Sequence, residues 1–222
     1  MKRSAVIVAG GKGLRMQTSL PKQFLEINGT PVLIHTINRF HSAFTGDIAI
    51  VLVLPTDQMD YWKQLCAQHA FETPFTIVAG GETRFNSVKN GLSNCADSDV
   101  IGVHDGVRPL VSEELIRKCY EQAERGSAIP VTAVNQSMRK QIDGKTVAID
   151  RSNLLNVQTP QCFQGKPLLA AYDSASHTNF TDDATVFEAA GHEIATIEGD
   201  ATNIKITTPG DIKIAEALIT LL

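Results

Sequence analysis

No run of apolar residues in this 222-residue sequence comes near the roughly 18 that a membrane-spanning helix needs. Met1-Lys2-Arg3 leads directly into a short apolar strand, so we expect no leader peptide and no membrane partner. An excess of positive charge is also missing, because the net charge is -4 and the isoelectric point is about 5.9. Proteins that hold nucleic acid non-specifically usually present a basic face. That class is therefore excluded, and any anionic ligand must be held by a local group of cations.

Cysteine is scarce and forms no recognisable pattern. There is no Cys-x-x-Cys pair and no histidine at metal-site spacing from any of the four cysteines: Cys66, Cys95, Cys119 and Cys162. We interpret them as reduced thiols, mostly core residues, of a cytoplasmic protein. Repeats, low-complexity tracts and linkers are absent too, and the length suits one α/β domain better than two. We therefore predict a single domain over residues 1–222.

The most informative stretch is a glycine-rich turn after the first predicted strand. Residues 5–8 are apolar and end at the run AGGKG of residues 9–13, where the backbone can turn tightly and approach a ligand. Arg15 and Lys22 follow this run. Cations beside bare backbone amides offset the charge of a bound polyphosphate, so the stretch indicates a phosphate-binding loop.

Neither of the two standard nucleotide loops fits this run. A P-loop has Ser or Thr after its Lys, whereas Gly13 follows Lys12. A dinucleotide-binding loop has a small residue where the larger Met16 stands. A turn with a purely structural purpose, which is common in α/β proteins, remains the alternative.

The remaining apolar runs indicate the fold class. Four of them read as buried strands separated by residues with helical spacing: 47–54, 75–78, 100–103 and 128–134. This alternation predicts an α/β fold with a doubly wound, mostly parallel, Rossmann-like sheet. Later elements are expected to be strands at 192–198 and 203–207, with the amine of Lys205 outside the core, and a helix capped by Thr181.

Polar turns at the strand ends predict one ligand cleft, because ligands of such sheets bind beyond the carboxyl ends of the strands. The glycine pair 80–81 precedes short polar residues that can read a nucleobase edge, although a helix N-terminus capped by Thr83 explains the same pattern. Asp105 would face ribose or substrate hydroxyls, or hydrated Mg²⁺, and Arg108 would face an anion. A local ion pair between Asp105 and Arg108 is the alternative.

Residues 135–151 depart from the α/β alternation. Two strand-like runs, 137–142 and 145–149, flank an Asp-Gly pair, which is a strong hairpin signal. A lone hairpin is marginally stable in water, so we expect a protruding β-hairpin arm that rests on a second copy in a homodimer. Arg151 would then reach the neighbouring subunit's site. A solvated surface hairpin is the alternative.

Seven segments occur in the order and approximate spacing of one enzyme family: GGKGLRM, PKQF, GGETRFNSV, HDGVRP, QTPQCF, TDDA and NIKITTPGD. Over nearly its whole length the chain resembles the 2-C-methyl-D-erythritol 4-phosphate cytidylyltransferases, which belong to the pyrophosphorylase-like nucleotidyltransferases. The resemblance implies an enzyme of non-mevalonate isoprenoid biosynthesis that joins CTP to a polyol phosphate and releases pyrophosphate. It also implies a homodimer with a swapped β-arm, and Mg²⁺ or another divalent cation held mainly by the CTP phosphates rather than by protein ligands.

The resemblance further implies roles for individual residues. The family's catalytic cations fall on Arg15, Lys22, Arg151 and Lys205. Its nucleotide contacts fall on Ala9, Gly10, Gly11, Gly13, Gly81, Glu82, Ser87, Asp105 and Gly106. Its polyol phosphate contacts fall on Asp105, Arg108, Ser137, Arg151, Thr159, Thr181 and Lys205.

Two departures from the family pattern leave the polyol open. The first loop reads Ala-Gly-Gly where many members have Ala-Ala-Gly, a feature shared with ribitol 5-phosphate cytidylyltransferases, and Ser137 stands where a threonine is frequent. The segment 181–184 resembles the methylerythritol family more closely, so we favour that substrate over ribitol 5-phosphate. A non-catalytic nucleotide-binding module is disfavoured because Arg15 and Lys22 are both present.

Overall fold

The computed structural model of the chain describes residues 1–10 and 20–220. The strands are β1 (Arg3–Val8), β2 (Glu26–Ile27), β3 (Thr30–Pro31), β4 (Ala49–Leu54), β5 (Thr76–Ala79), β6 (Val100–Asp105), β7 (Ser127–Ala133), β8 (Met138–Ile142), β9 (Lys145–Ile149), β10 (Leu155–Val157), β11 (Gln161–Gln164) and β12 (Thr196–Glu198). The helices are α1 (Val32–Ala43), α2 (Met59–Gln68), α3 (Arg84–Leu92), α4 (Glu113–Ala123), α5 (Gly165–Ser174), α6 (Asp183–Ala189) and α7 (Pro209–Ile219), with 3₁₀ turns at Lys22–Phe24 and Thr56–Gln58. No helix within these ranges is long and apolar enough to cross a membrane.

The central sheet is mixed and mostly parallel. Its strands follow the order β10-β7-β11-β6-β1-β4-β5, and β12 adds to β7. Strands β6, β1, β4 and β5 run parallel, and β11 runs antiparallel between β6 and β7. Val8 at the end of β1 is level with Val53 of β4 and with Asp105 of β6. The carboxyl ends of these strands therefore meet at one edge of the sheet.

Helices cover both faces of this sheet, because successive side chains of each strand point to opposite sides. Ala5 and Ile7 of β1 pack with α1, α2 and α4, whereas Val6 packs with α3, α5 and α6. Strands buried on both faces require near-continuous apolar sequence, which is what residues 5–8 and 49–54 supply. The predicted doubly wound α/β fold is confirmed.

The arm is a two-stranded hairpin, as predicted. Strands β8 and β9 pair only with each other among the described residues. Asp143 and Gly144 at its tip have φ of 47° and 77°, the left-handed backbone that a two-residue hairpin turn demands and that Asp-Gly adopts readily.

Two local expectations are wrong. Residues 203–207 do not form a strand. Both edges of the neighbouring strand β6 are already paired, with β1 and β11. Among the described residues, the segment makes one backbone hydrogen bond to the turn after β6, from the amide of Ile206 to the carbonyl of Val107 at 2.9 Å. Thr181 does not cap α6. Asp182 does, since its carboxylate accepts from the amide of Thr185 at 3.0 Å and completes a capping box.

Candidate active site

A cavity of about 330 Å³ opens at the shared carboxyl edge of β1, β4, β5 and β6. It is lined by Val8, Ala9, Gly10, Lys22, Gln23, Gly81, Glu82, Thr83, Arg84, Ser87, Asp105, Val107 and Lys205. A larger, more open depression of about 740 Å³ lies at the other end of the sheet, beside Lys2 and Val100, and contains none of the predicted site residues. The smaller cavity is therefore the candidate active site.

Two cations from distant parts of the chain meet in this cavity. Lys22 comes from the 3₁₀ turn after the first loop, and its Nζ donates to the carbonyl of Ile206 at 3.0 Å. Lys205 comes from the extended segment that includes Ile206, and its Nζ lies 3.0 Å from Oδ2 of Asp105. The carbonyl contact thus holds Lys22 beside the segment that carries Lys205.

Asp105 ends β6 and is almost buried, at 9% exposure. Burial by itself raises the pKa of this carboxyl group, but the positive charges of Lys205 and then Arg108 outweigh burial and hold the pKa well below its ordinary value. The carboxylate is consequently ionised over the whole neutral range. It can accept hydrogen bonds from ligand hydroxyl groups without first losing a proton.

Arg108 and Thr159 lie behind Asp105 rather than on the cavity wall. The guanidinium of Arg108 donates to Oδ2 of Asp105 at 3.2 Å and to the carbonyl of Asn203 at 2.8 Å. The Asp-Arg ion pair considered as the alternative is therefore present. Oγ1 of Thr159 accepts from the amide of Asp105 at 3.1 Å. Both side chains fix the position of Asp105, and their predicted polyol contacts stay predictions.

His104 supports the same group of residues from the core. Its Nε2 lies 3.3 Å from the carbonyl of Arg108, which can only accept, so Nε2 carries the proton and Nδ1 accepts from the Thr159 hydroxyl at 2.9 Å. Burial lowers the pKa of His104 to about 3. The ring is thus neutral and has a positioning role.

The turn at Gly81 forms the opposite wall. The amide of Gly81 donates to Oγ of Ser87 at 3.1 Å, and the Ser87 hydroxyl donates to the carbonyl of Thr83 at 2.9 Å. Oγ1 of Thr83 accepts from the amide of Asn86 at 3.1 Å, so Thr83 caps α3 as the structural alternative predicted. Glu82 lies on the same wall. The cap and the cavity wall are one structure, and the two interpretations of this turn do not compete.

Gln23 was not singled out from the sequence, although it belongs to the PKQF segment. Its side chain is fully buried, and Nε2 donates to the carbonyl of Ala9 at 2.9 Å and to Oε1 of Gln58 at 2.7 Å. Gln23 therefore holds the start of the first loop beside Lys22. Gly10 follows on the cavity wall, and Gly106 lies behind Ala9, where an added Cβ would approach the Ala9 Cβ to 2.9 Å.

The structure does not place every predicted site residue in this cavity. Gly11, Gly13 and Arg15 lie outside the described residues. Ser137, Arg151 and Thr181 are exposed and are not part of the lining. Arg151 donates to the carbonyl of Asn135 at the base of the arm.

The site has little capacity to hold a metal ion with protein ligands alone. Glu82 and Asp105 are the carboxylates of the lining. Within residues 1–10 and 20–220 there is no group of three His, Cys, Asp or Glu residues that could hold a metal ion. A hard cation would need oxygen ligands from a bound anion such as a triphosphate.

Known proteins are similar to this chain both in sequence and in fold. Residues 4–221 match the family model IspD, 2-C-methyl-D-erythritol 4-phosphate cytidylyltransferase. The chain is 50% identical over 220 residues to the Bacteroides thetaiotaomicron protein of that description, covering 99% of this chain and all of the relative (100%). It is 48% identical over 221 residues to the Porphyromonas gingivalis protein of the same description, covering 99% and 98%. The crystal structure of 4-diphosphocytidyl-2C-methyl-D-erythritol synthase from Anaerococcus prevotii superposes with a TM-score of 0.82 at 31% identity, covering 99% of this chain and 96% of that one.

Proposed function

The chain belongs to the 2-C-methyl-D-erythritol 4-phosphate cytidylyltransferase family, and from this premise we propose how its cavity carries out the reaction. The activity predicted from the sequence, cytidylyl transfer to methylerythritol phosphate in isoprenoid biosynthesis, is confirmed by the family match and the relatives. The relatives carry the methylerythritol name, which favours that polyol over ribitol 5-phosphate and an active enzyme over a non-catalytic module.

The observation that carries the mechanism is the meeting of Lys22 and Lys205 in one cavity opposite the Gly81 turn. The nucleophile is a phosphate monoester with a second pKa of about 6, so it is mostly a dianion at neutral pH. One of its oxygens attacks the α-phosphorus of CTP, the bond from that phosphorus to the bridging oxygen of the β-phosphate breaks, and pyrophosphate leaves with the electron pair. No proton is removed from the nucleophile, so no general base is required.

The protein's task is therefore electrostatic. A dianion must approach a triphosphate, and positioned cations stabilise the charge that accumulates around the α-phosphorus. Lys22, together with Arg15 of the first loop, stabilises the transition state. Lys205 orients the polyol phosphate and exchanges its contact with Asp105 for the incoming phosphate oxygens.

Each wall of the cavity takes one substrate. Cytosine lies against the Gly81 turn, where the Glu82 and Ser87 backbone and side chains supply hydrogen-bonding groups, and the phosphates reach the loop that starts at Ala9 and Gly10. The polyol phosphate lies on the Asp105 side, with Arg108 and Thr159 holding that carboxylate in place.

Mg²⁺ is proposed as the cofactor because the possible protein ligands in the cavity are carboxylate oxygens. Asp105, with Glu82 as the second carboxylate of the lining, would provide one or two oxygens, which suits an ion that keeps several waters and takes its remaining ligands from substrate phosphates. When bound, Mg²⁺ neutralises part of the phosphate charge. The lysines then have less charge to offset.

The arm supports a homodimer through its amphipathic character. Residues directly opposite in an antiparallel pair share a face, and the register places Met138 opposite Ile149 and Val147 opposite Lys140. Ile142 lies on this face as well, whereas Arg139 and Thr146 lie on the other. Met138, Ile142 and Val147 are 39%, 45% and 45% exposed. The larger apolar side chains of the hairpin thus lie on one exposed face, beside Lys140 and Lys145. Packing those apolar side chains against another surface stabilises such a hairpin, and we propose that this surface is a second copy of the chain.

A cytoplasmic location is proposed from the redox state of the cysteines. All four are free thiols, and three of them are buried. Disulfide-free cysteines are typical of a reducing compartment.

The function is tested by supplying CTP and Mg²⁺ with 2-C-methyl-D-erythritol 4-phosphate or ribitol 5-phosphate in parallel and measuring pyrophosphate. We expect sustained release with the methylerythritol substrate and a much lower kcat/KM with ribitol 5-phosphate. Mass spectrometry should identify the diphosphocytidyl product. Preferential turnover of ribitol 5-phosphate, or none with either polyol, would contradict the assignment.

A further inference from the structure

Arg84 is a charged residue of the cavity wall to which the mechanism above gives no role. Its guanidinium forms a bidentate ion pair with the carboxylate of Asp183, from Nη1 to Oδ1 at 2.9 Å and from Nη2 to Oδ2 at 2.6 Å. The Arg84 side chain is 29% exposed and the Asp183 side chain 0%. The pair therefore begins at the cavity and ends inside the protein.

The Asp183 carboxylate is satisfied by three donors. The Tyr172 hydroxyl adds a hydrogen bond of 2.6 Å to Oδ1. Burial by itself lowers the pKa of Arg84, but the negative charge of Asp183 outweighs it and raises that pKa; burial and then Asp183 raise the pKa of Tyr172. Both donors thus keep their protons, and a buried charge held by short hydrogen bonds on several sides has little freedom to move.

The pair joins the segment that carries the nucleotide turn to a segment for which the family resemblance implies a contact with the polyol phosphate, through Thr181. Arg84 is the first residue of α3, directly after the nucleotide turn at Gly81, and Asp183 is the first residue of α6, directly after Thr181 and Asp182. The backbone amide of the same residue, Asp183, donates to Oε1 of Gln161 at 3.0 Å. The start of α6 is therefore held from two sides.

The two segments depend on Arg84 to different extents. The nucleotide turn keeps its shape through Thr83 and Ser87, whose hydrogen bonds to Asn86 and Gly81 do not involve the Arg84 side chain. The start of α6 has no other contact of this kind with α3 within the described residues. Loss of the ion pair should consequently displace the polyol segment more than the nucleotide turn.

We propose that Arg84, through Asp183, is a positioning residue for the polyol phosphate: it fixes the segment of Thr181 and Asp182 at the distance from the nucleotide turn that the transfer requires. This inference rests on the proposed function, because the segment matters only if the second substrate lies against it. A displacement of about 1 Å in such a site costs as much as a hundredfold in rate.

The test measures KM and kcat for both substrates in three variants by pyrophosphate release. Arg84→Lys keeps the positive charge but loses the bidentate geometry of the ion pair. Asp183→Asn removes the buried negative charge, and Tyr172→Phe removes one hydrogen-bond donor to Asp183 without altering the cavity. We expect the KM for the polyol phosphate to rise about tenfold or more in Arg84→Lys and Asp183→Asn and less in Tyr172→Phe, while the KM for CTP changes less than about threefold.

Lys89→Met is the matched control. Lys89 also lies on α3, and it contacts the carbonyl of Tyr172 and the carboxylate of Asp173, away from the cavity. Its loss should leave both KM values unchanged, and thermal unfolding of every variant separates misfolding from misplacement. If Asp183→Asn does not fold, the KM values of Tyr172→Phe and Arg84→Lys still test the positioning role of Arg84.

Equal changes in both KM values, a change confined to CTP, or unchanged kinetics in Arg84→Lys would overturn the inference. Failure of the proposed function is a separate result. In that case the unmodified enzyme itself releases no pyrophosphate with the polyol phosphate.

Discussion

Lys22 shows how a single amine is held in position on the cavity wall. Its neighbour Pro21 fixes the backbone before the 3₁₀ turn. The Nζ of Lys22 donates a hydrogen bond to the carbonyl of Ile206 at 3.0 Å. A cation that is already oriented in the free enzyme needs little reorganisation when charge develops in the transition state.

We therefore expect Lys22→Ala to lower kcat by about 10² to 10³, the range found when one preorganised donor is removed from a transition state. Thermal unfolding should change little, because the side chain is not part of the apolar core. Lys63→Ala, which removes an exposed cation paired with Asp60, serves as the control. Near-normal turnover in Lys22→Ala would refute its catalytic role.

We expect His104 to make the stability of the protein depend on pH. Its pKa is lowered to about 3 in the folded protein, against about 6.5 in an unfolded chain. Because only the unfolded state takes up the proton between these values, the free energy of unfolding must fall as pH drops from about 6.5 towards 3. Above about pH 6.5 the ring is neutral in both the folded and the unfolded state, so His104 no longer makes the free energy of unfolding depend on pH.

Denaturant unfolding at pH 7 and pH 5 measures this effect. His104 alone should reduce the free energy of unfolding by about 2 kcal/mol between the two values. His104→Gln, which stays neutral, should be less stable at pH 7 but lose less stability on acidification. The same loss in this variant as in the unmodified protein would show that His104 does not cause the pH dependence.

At the scale of elements, α3 combines a structural cap with a binding surface. Gly81 is required there because a Cβ would approach the Asn86 Cβ to 2.5 Å and the Asn86 backbone to 3.1 Å. The first turn of α3 would have to move away, and with it the hydrogen bond between Gly81 and Ser87.

Gly81→Ala should therefore raise the KM for CTP at least tenfold, and it should destabilise the protein by about 1 to 3 kcal/mol, as overpacking usually does. Gly210→Ala is the matched control, because its Cβ would meet nothing closer than 3.7 Å, and we expect it to be neutral or slightly stabilising. Fluorescence-monitored CTP binding and thermal unfolding report the two effects separately. An unchanged affinity for CTP would show that the turn does not contact the nucleotide.

Local sequence signals predicted some elements because the physics that forms them is local. Thr83 and the Asp143-Gly144 pair each act through their own neighbouring residues, so their cap and turn could be predicted. Thr181 and Asp182 are both good caps by type, but Asp182 also accepts a hydrogen bond of 2.9 Å from Gln161, a residue of β11 that is distant in the sequence. Residues 203–207 have a strand-like pattern, but no free edge of the sheet receives them.

The candidate site was predictable to a similar extent. The glycine-rich and charged turns at the ends of the predicted strands indicated one cleft. Four of the predicted residues do meet there: Lys22, Gly81, Asp105 and Lys205. Arg84 and Gln23 were missed because their roles come from partners far away in the chain, Asp183 and Ala9. A pattern in the sequence cannot specify such pairings unless the packing of the sheet is known.

At the scale of the whole molecule, the cations proposed for the reaction include one that the structure places outside the cavity. Lys22 and Lys205 lie in the cavity, whereas Arg151 is exposed at the base of the arm and bonds to Asn135. In the proposed symmetric dimer each arm would reach the other subunit, so that two copies of one surface would complete two sites. We expect the exposed face of the arm that carries Ile142 and Val147 to supply the contact.

Mixing two inactive variants tests this arrangement. Arg151→Ala and Lys22→Ala homodimers should each have low turnover, but subunit exchange produces heterodimers in which one site keeps Lys22 and receives the intact Arg151 of the other chain. About a quarter of all sites are then complete at equal amounts of the two variants. Turnover should recover towards that fraction, with a mass near twice the 24.0 kDa of one chain.

The same mixture gives no recovery if Arg151 acts within its own chain, because every site then lacks one of the two cations. Ile142→Glu combined with Val147→Glu should abolish both the dimer and the recovery, since two charges cannot be buried on the apolar face without a large desolvation cost. Gln141→Glu combined with Ala148→Glu adds the same charges to the opposite face of the hairpin and should leave both intact. Recovery in a mixture that sedimentation shows to be monomeric would exclude the shared site.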